Sequence, residues 1–329
     1  RSASSTARPD LPLAVGPAIR IACFPAISDC RFMLVATLIA APKGAGLPAS
    51  GLAAIAEAVG TTPDRAAWLA PGYAADLRFD APAAPTWRQD LAAIAADGGF
   101  DCVVQQHDQR RKRILIADMD STMIDQECID ELADAIGIKD RVAGITARAM
   151  NGEIAFEPAL KERVALLEKL PTAAVAEVIA ERITLASGGA ELVATMRANG
   201  AFTALVSGGF TVFTGPIAEK LGFHENRANT LLHEGDAFTG RVAEPILGSA
   251  AKVAALEDFA ARLGLGVADA IAVGDGANDL PMIERAGTGV ALHAKPTVAA
   301  RAPHRVDHGD LTALLFIQGY RADEIVRPG

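Results

Sequence analysis

Apolar and polar positions are arranged in two different ways along the 329 residues, and the change falls near residue 113. Before it, MLVATLIA at 33–40 reads as a strand, SGLAAIAEAV at 50–59 as a helix and ADLRFD at 75–80 as a second strand. The Pro/Gly-rich stretch 63–72 and APAAP at 81–85 read as loops. WRQDLAAIAADGG then reads as a helix with a glycine stop, leading into the strand FDCVVQQ at 100–106. This β-α-β-α-β order predicts a small α+β module over 33–106, followed by a charged linker, HDQRRKR, at 107–113. Residues 1–32 carry no comparable pattern and are expected to form a poorly structured extension. Their opening RSASSTARPD does not lead into the apolar segment of a secretory signal.

From 114 onward the chain alternates differently. The short apolar runs ILIAD, FTALVSGG and DAIAVGDG each end in acidic, hydroxyl or glycine residues. Helical patterns such as LKERVALLEKL and AAKVAALEDFAARLG stand among them. Strands and helices in alternation predict an α/β domain over 114–329, with a parallel sheet covered on both faces. Residues from about 126 to 190 lack strand signals and read as an inserted helical segment. Polar residues at the carboxyl ends of parallel strands gather at one edge of the sheet, so these distant clusters are expected in one site.

The first cluster is Asp118 and Asp120, in ADMDST. Alone, a D-x-D is a strand end followed by a helix cap. As a pair, the two carboxylates repel unless a counter-charge lies between them, and Mg²⁺, a hard oxygen-seeking cation, provides one. A carboxylate can also act as a nucleophile and form an aspartyl-phosphate, while a neighbouring acid protonates the leaving alcohol and then activates water. The second cluster, Ser207 to Gly209, is either a strand-to-helix turn or an anion cradle of hydroxyl and backbone N–H groups. Lys252 alone is ordinary surface, but a phosphate among carboxylates needs a cation. In GDGANDLPM, Asp275 has glycine on both sides and can reach an ion without crowding; Asn278 and Asp279 open the next helix, placed to hold metal-bound water. Together, in this order, the clusters favour a functional site over coincidence.

Composition narrows the setting. Half of the residues are hydrophobic and 22% are charged, which is the balance of a globular chain. A net charge of −9 argues against a nucleic-acid surface, and RRKR at 110–113 is expected to be solvated or part of the linker. Cys23, Cys30, Cys102 and Cys128 have no metal-type spacing, which favours free thiols in a reducing cytoplasm. No apolar run approaches the ~18 residues of a membrane span.

DMDST, SGG, the downstream Lys252 and GDGAND resemble the four motifs of the haloacid dehalogenase superfamily, in its phosphatase branch, over roughly 110–320. The resemblance implies a Rossmann-like core with a helical cap, Asp118 as nucleophile and Asp120 as general acid/base. It implies Ser207, Gly208, Gly209, Lys252 and Asn278 as ligands of the phosphorylated substrate. Mg²⁺ would be held by the carboxylates of Asp118 and Asp275 and the carbonyl of Asp120, with Asp279 behind its water shell. In the helical insert, Arg163 is suited to fork onto a carboxylate and Glu127 to pair with an ammonium, with Met150 and Phe156 walling the space between. Those two charges read equally as ordinary helix decoration.

The run ECIDELA, the segment MNGEIAFEPALKERV and the later GVALHAKP closely resemble the phosphoserine-hydrolysing family within that branch. This implies O-phospho-L-serine as substrate, cleaved to L-serine and phosphate as the last step of serine synthesis. Hydrolysis or phosphotransfer on another phosphorylated amino acid or small metabolite stays open, because one extra methyl is worth only ~1–3 kcal/mol in a pocket. A non-enzymatic amino-acid sensor is disfavoured by the intact Asp118, Asp120, Lys252 and Asp275. The N-terminal module is similar to ferredoxin-like, ACT-type domains; regulation, homodimer formation and simple packing are all open as its role.

Overall fold

A computed structural model describes residues 33–328 except 81, 83, 151 and 152, and leaves out the side chain of Met150. The extension expected at 1–32 lies outside the described residues. The N-terminal module comprises β1 (Leu34–Ala40), α1 (Ala49–Ala58), β2 (Ala67–Ala70), β3 (Ala74–Phe79), α2 (Trp87–Gly98) and β4 (Phe100–Gln106). Its antiparallel sheet runs β2-β3-β1-β4, so the order is β-α-β-β-α-β, with one strand more than the sequence pattern predicts. The extra strand, β2, is four residues long and lies between Pro63 and Gly72, too short to show alternation beside such strong loop signals.

Along β1, Leu34, Ala36, Leu38 and Ala40 pack with Leu52 and Ile55 of α1 and Leu91 of α2. Ile39 and Val103 of β4 face the other way, into the core shared with the following domain. Polar contacts close that seam. Asp101 accepts backbone N–H groups of Asp307 and Gly309, both at 2.7 Å, and of His308. The basic segment 110–113, expected to be solvated or a simple linker, is largely spent here. Arg110 pairs with the buried Asp76, which also accepts the Thr37 hydroxyl at 2.8 Å. Arg111 meets Glu324 at 2.6 Å and lies over the Tyr320 ring, and Lys112 Nζ donates to the Ala268 carbonyl at 2.8 Å.

The following domain contains β5 (Ile114–Ala117), α3 (Cys128–Ala135), α4 (Lys139–Met150), α5 (Phe156–Ala165), α6 (Ala173–Arg182) and α7 (Gly189–Ala198). Next come β6 (Phe202–Phe210), α8 (Thr211–Leu221), β7 (Glu225–Asn229), a hairpin of β8 (Leu231–Glu234) and β9 (Ala237–Val242), and α9 (Ser249–Arg262). The chain ends with β10 (Ala270–Gly274), α10 (Leu280–Arg285), β11 (Thr288–Leu292), α11 (Pro296–Ala299), β12 (His304–Val306) and α12 (Ala313–Ile317). Six strands form a parallel sheet in the order β12-β11-β10-β5-β6-β7. Its two faces are covered separately: Leu115 and Ala117 of β5 enter one core, Ile114 and Ile116 the other, as the two-residue period of a strand requires.

Register decides where the polar ends emerge. Ala117 is paired with Val273 of β10 on one side and with Leu205 of β6 on the other. Asp118, Asp275 and Ser207 therefore leave the sheet side by side. Helices α3–α6 form a cap, and side chains of α3, α4 and α5 share a cavity with these strand ends. Helix α5 starts four residues earlier than the LKERVALLEKL pattern suggests, because Pro158 is tolerated in a first helical turn. That extension puts Phe156 at its first position. Among the described residues no helix is long and apolar enough to cross a membrane.

Candidate active site

At the sheet edge, Asp118 continues the ladder of β5 by donating its N–H to the Val273 carbonyl at 3.0 Å. Its carboxylate meets Lys252, from the first turn of α9, with Nζ 2.6 Å from Asp118 Oδ1. This is an ion pair outside hydrogen-bond geometry, and Asp118 Oδ1, although buried, accepts no hydrogen bond from the described residues. The same Lys252 ammonium donates to Asp279 Oδ1, and Asp279 Oδ2 accepts the Gly276 N–H at 3.0 Å. Lys252 and Asp279 are fully buried. Gly274 is required beneath them, since a Cβ there would run into the Asp279 carboxyl carbon.

Asp120 is held differently. Its Oδ1 accepts the backbone N–H of Cys128 at 2.9 Å, at the start of α3, and its Oδ2 accepts the Ser207 hydroxyl at 3.3 Å. Ser207 Oγ in turn accepts the Gly209 N–H at 2.8 Å. A Cβ on Gly209 would press on Asp120 Oδ2 at 2.9 Å, so glycine is what lets the carboxylate approach. Ser207 to Gly209 lie inside the end of β6, where the pairing with β7 slips between Val206 and Phe210. Asn229 pins this irregular strand end by donating to the Gly208 carbonyl, and it also bonds Leu247 ahead of α9.

So many carboxylates together shift one another. Burial, then the charges of Glu127 and Asp118, push Asp120 up to about 7. Burial, then Asp118 and Glu127, push Asp275 up to about 6. Burial and Asp118 also raise Asp279, against the pull of Lys252. Burial works against the Lys252 ammonium, yet the two aspartates hold its pKa above the ordinary lysine range. Oxygens of Asp118, Asp275 and Asp279 all lie within 4.8 Å of one another. An all-carboxylate donor set forms a divalent-cation site, and Mg²⁺ matches it in hardness and ligand preference.

Facing this edge across a cavity of about 380 Å³ are residues of the cap. Phe156, Leu160 and Arg163 follow one another at i, i+4 and i+7, so one face of α5 lines the cavity. The Phe156 ring stands over Gly208, 3.6 Å from where a Cβ would be. Glu127 and Asp130 come from the start of α3, and the Ser121 hydroxyl, in a left-handed turn, donates to Glu127 at 2.9 Å. The Arg163 guanidinium makes one long contact, Nε to the Ala159 carbonyl at 3.4 Å, and no ion pair among the described residues. Burial lowers its pKa, with Asp130 and Glu127 opposing.

The model of the haloacid dehalogenase-like hydrolases matches residues 115–284, which takes in every one of these groups. The chain belongs to this family. The hydrolase is similar to the phosphoserine phosphatase of Archaeoglobus fulgidus, 42% identical over 232 residues, covering 70% of this chain and 67% of the relative. It is similar in structure to a haloacid dehalogenase-family hydrolase of Salmonella enterica serovar Typhi, with a TM-score of 0.78 and 29% identity over 87% of this chain and 98% of that one. A solved phosphoserine phosphatase carrying a phospho-aspartyl intermediate analogue is 38% identical, with a TM-score of 0.58 over 63% of the hydrolase and 98% of that chain.

Of the site residues read from the sequence, Asp118, Asp120, Glu127, Phe156, Arg163, Ser207, Gly208, Gly209, Asp275 and Asn278 line the one cavity. Lys252 and Asp279 stand behind its wall, on Asp118. Met150 ends α4, and its side chain lies outside the described residues. Among the lining residues that sequence reasoning did not single out are Asp130, Thr146 and Lys295. Asp130 was discoverable one turn after Glu127, and Lys295 inside the quoted GVALHAKP. A single threonine in a helical run carries no sequence signal.

Proposed function

We propose that this hydrolase is a Mg²⁺-dependent phosphatase that cleaves O-phospho-L-serine to L-serine and phosphate through an aspartyl-phosphate on Asp118. One observation carries the reading. The cavity joins a nucleophile and cation site at one end to a carboxylate, Glu127, and a guanidinium, Arg163, without an ion pair among the described residues, at the other. A phosphate, an α-carboxylate and an α-ammonium find matching groups there. The names of the relatives, and the phospho-aspartyl analogue in one of them, support the same reading.

In this scheme an Asp118 oxygen attacks phosphorus and the bond from phosphorus to the serine oxygen breaks. Asp120, whose pKa of about 7 keeps it partly protonated at neutral pH, donates its proton to that oxygen. The resulting Asp120 carboxylate takes a proton from water as the water attacks phosphorus, which frees phosphate and restores Asp118. Ser207 and the backbone of Gly208 and Gly209 hold phosphate oxygens, with Asn278 beside them, and Lys252 offsets the negative charge around Asp118. Bound Mg²⁺ supplies further neutralisation of the phosphoryl oxygens. Arg163 and Glu127 orient the amino acid, with Phe156 over its carbons. We place the reaction in the cytoplasm, as the free thiols Cys102 and Cys128 suit a reducing compartment.

Phosphate release from O-phospho-L-serine with Mg²⁺ tests the proposal. Wild type is expected to turn over, and Asp118→Asn to lose roughly 10⁴-fold or more in kcat. Full activity in the variant rules out the aspartyl-phosphate. A broader specificity is the second reading, since Phe156, 39% exposed, is not fully packed into the pocket wall. Equal kcat/KM on O-phospho-L-threonine is the result expected of that second reading.

A further inference from the structure

Thr146 lies on α4 and lines the cavity together with Asp130, Leu160 and Arg163. Its Oγ1 is buried and has no hydrogen-bond partner among the described residues. A threonine in a helix ordinarily satisfies its hydroxyl on the carbonyl three or four residues back, and here it does not. A buried hydroxyl left unpaired is costly, so its position in a ligand cavity points to a partner that arrives with the ligand. The mounting is firm: on the outer side of the cap, Arg148 of α4 is bound to Glu162 of α5 at 2.9 Å. The two helices bring Thr146 and Arg163 to the same cavity.

We propose that Thr146 Oγ1 donates a hydrogen bond to the α-carboxylate of the bound phospho-amino acid and is its second anchor beside Arg163. This rests on the substrate reading above and extends it to a specificity-determining residue. The chemistry is complementary: a carboxylate offers about four lone-pair sites, of which a forked guanidinium takes two. A hydroxyl donor from the neighbouring helix fills a third. Asp130 and Glu127, as acceptors, suit the ammonium instead.

Thr146→Val keeps the shape and removes the hydroxyl; Thr146→Ser keeps the hydroxyl. For O-phospho-L-serine, Thr146→Val is expected to raise KM about tenfold with kcat within about twofold of wild type, and Thr146→Ser to restore KM. Turnover of p-nitrophenyl phosphate, which has no carboxylate, is expected to stay unchanged. The ligand-free Thr146→Val protein is expected to melt no lower than wild type, because the lost hydroxyl had no partner. Unchanged KM in Thr146→Val, an equal loss on both esters, or a lower melting temperature with no change in KM overturns the anchor alone. A wild-type enzyme idle on O-phospho-L-serine but active on p-nitrophenyl phosphate overturns the substrate reading and the anchor with it.

Discussion

The two ends of the cavity follow opposite rules. At the sheet end the charged groups are held by one another and by the backbone: Lys252 lies between Asp118 and Asp279, and Asp120 rests on Cys128 N–H and the Ser207 hydroxyl. At the cap end, among the described residues, Arg163 has one 3.4 Å backbone contact and the Thr146 hydroxyl has none. Reacting groups must stand in place before substrate arrives, since positioning is what they contribute to the rate. Recognition groups work by being unsatisfied until substrate satisfies them. Damage to the ion-paired cluster at the sheet end should therefore reach stability and kcat together, and damage at the cap end KM alone.

The strongest challenge to this contrast is Lys252→Met. It leaves Asp118 and Asp279 as buried, uncompensated carboxylates, and removing one partner of such a cluster costs about 3–5 kcal/mol. Urea unfolding is expected to show that loss alongside a collapse of kcat, and unchanged stability would remove the claim that this end is pre-paired. Next in size is Arg163→Ala. Losing a charged hydrogen-bond partner of the substrate, worth about 1.5–3 kcal/mol, is expected to raise KM for O-phospho-L-serine by roughly 10- to 100-fold. Stability should hold within about 0.5 kcal/mol, and hydrolysis of p-nitrophenyl phosphate should be little affected. A loss of stability as large as that of Lys252→Met would erase the difference between the two ends.

The smallest expected effect concerns the cation. Mg²⁺ at ten times its Kd stabilises the folded state by about 1.4 kcal/mol, seen as an upward shift in thermal melting. Asp275→Asn is expected to abolish that shift while the metal-free variant melts no lower, because one of several crowded carboxylates is gone. A Mg²⁺-dependent shift that survives the substitution would place the ion elsewhere.

The sheet end was legible because its residues sit where apolar runs stop. ILIAD, FTALVSGG and DAIAVGDG mark their own carboxyl ends, and the core strands β5, β6 and β10 appear there. Lys252 carried a weaker signal, since a lysine in a helical run is ordinarily at the surface; only its two aspartates explain why it is fully buried. The short β2 was hidden by flanking Pro and Gly, and the basic 110–113 segment read as solvated because its partners Asp76 and Glu324 lie far off in the chain. Thr146 was invisible for another reason. An unsatisfied hydroxyl is defined by the neighbours it lacks, and sequence order does not give neighbours across a cavity.

By itself the sequence determined the chemical inventory: which carboxylates, which hydroxyl and which cations close the apolar runs, and hence the family and its reaction type. Those follow from local order, because the period of a strand or helix fixes which residue comes at its end. Tertiary structure decided the rest. It placed Ser207 against Asp120 across 87 residues of chain, buried Lys252 between two acids and, among the described residues, left Arg163 without an ion pair and the Thr146 hydroxyl without a partner. Burial and hydrogen-bond satisfaction are properties of the space around a group, and that space is assembled by elements distant in sequence.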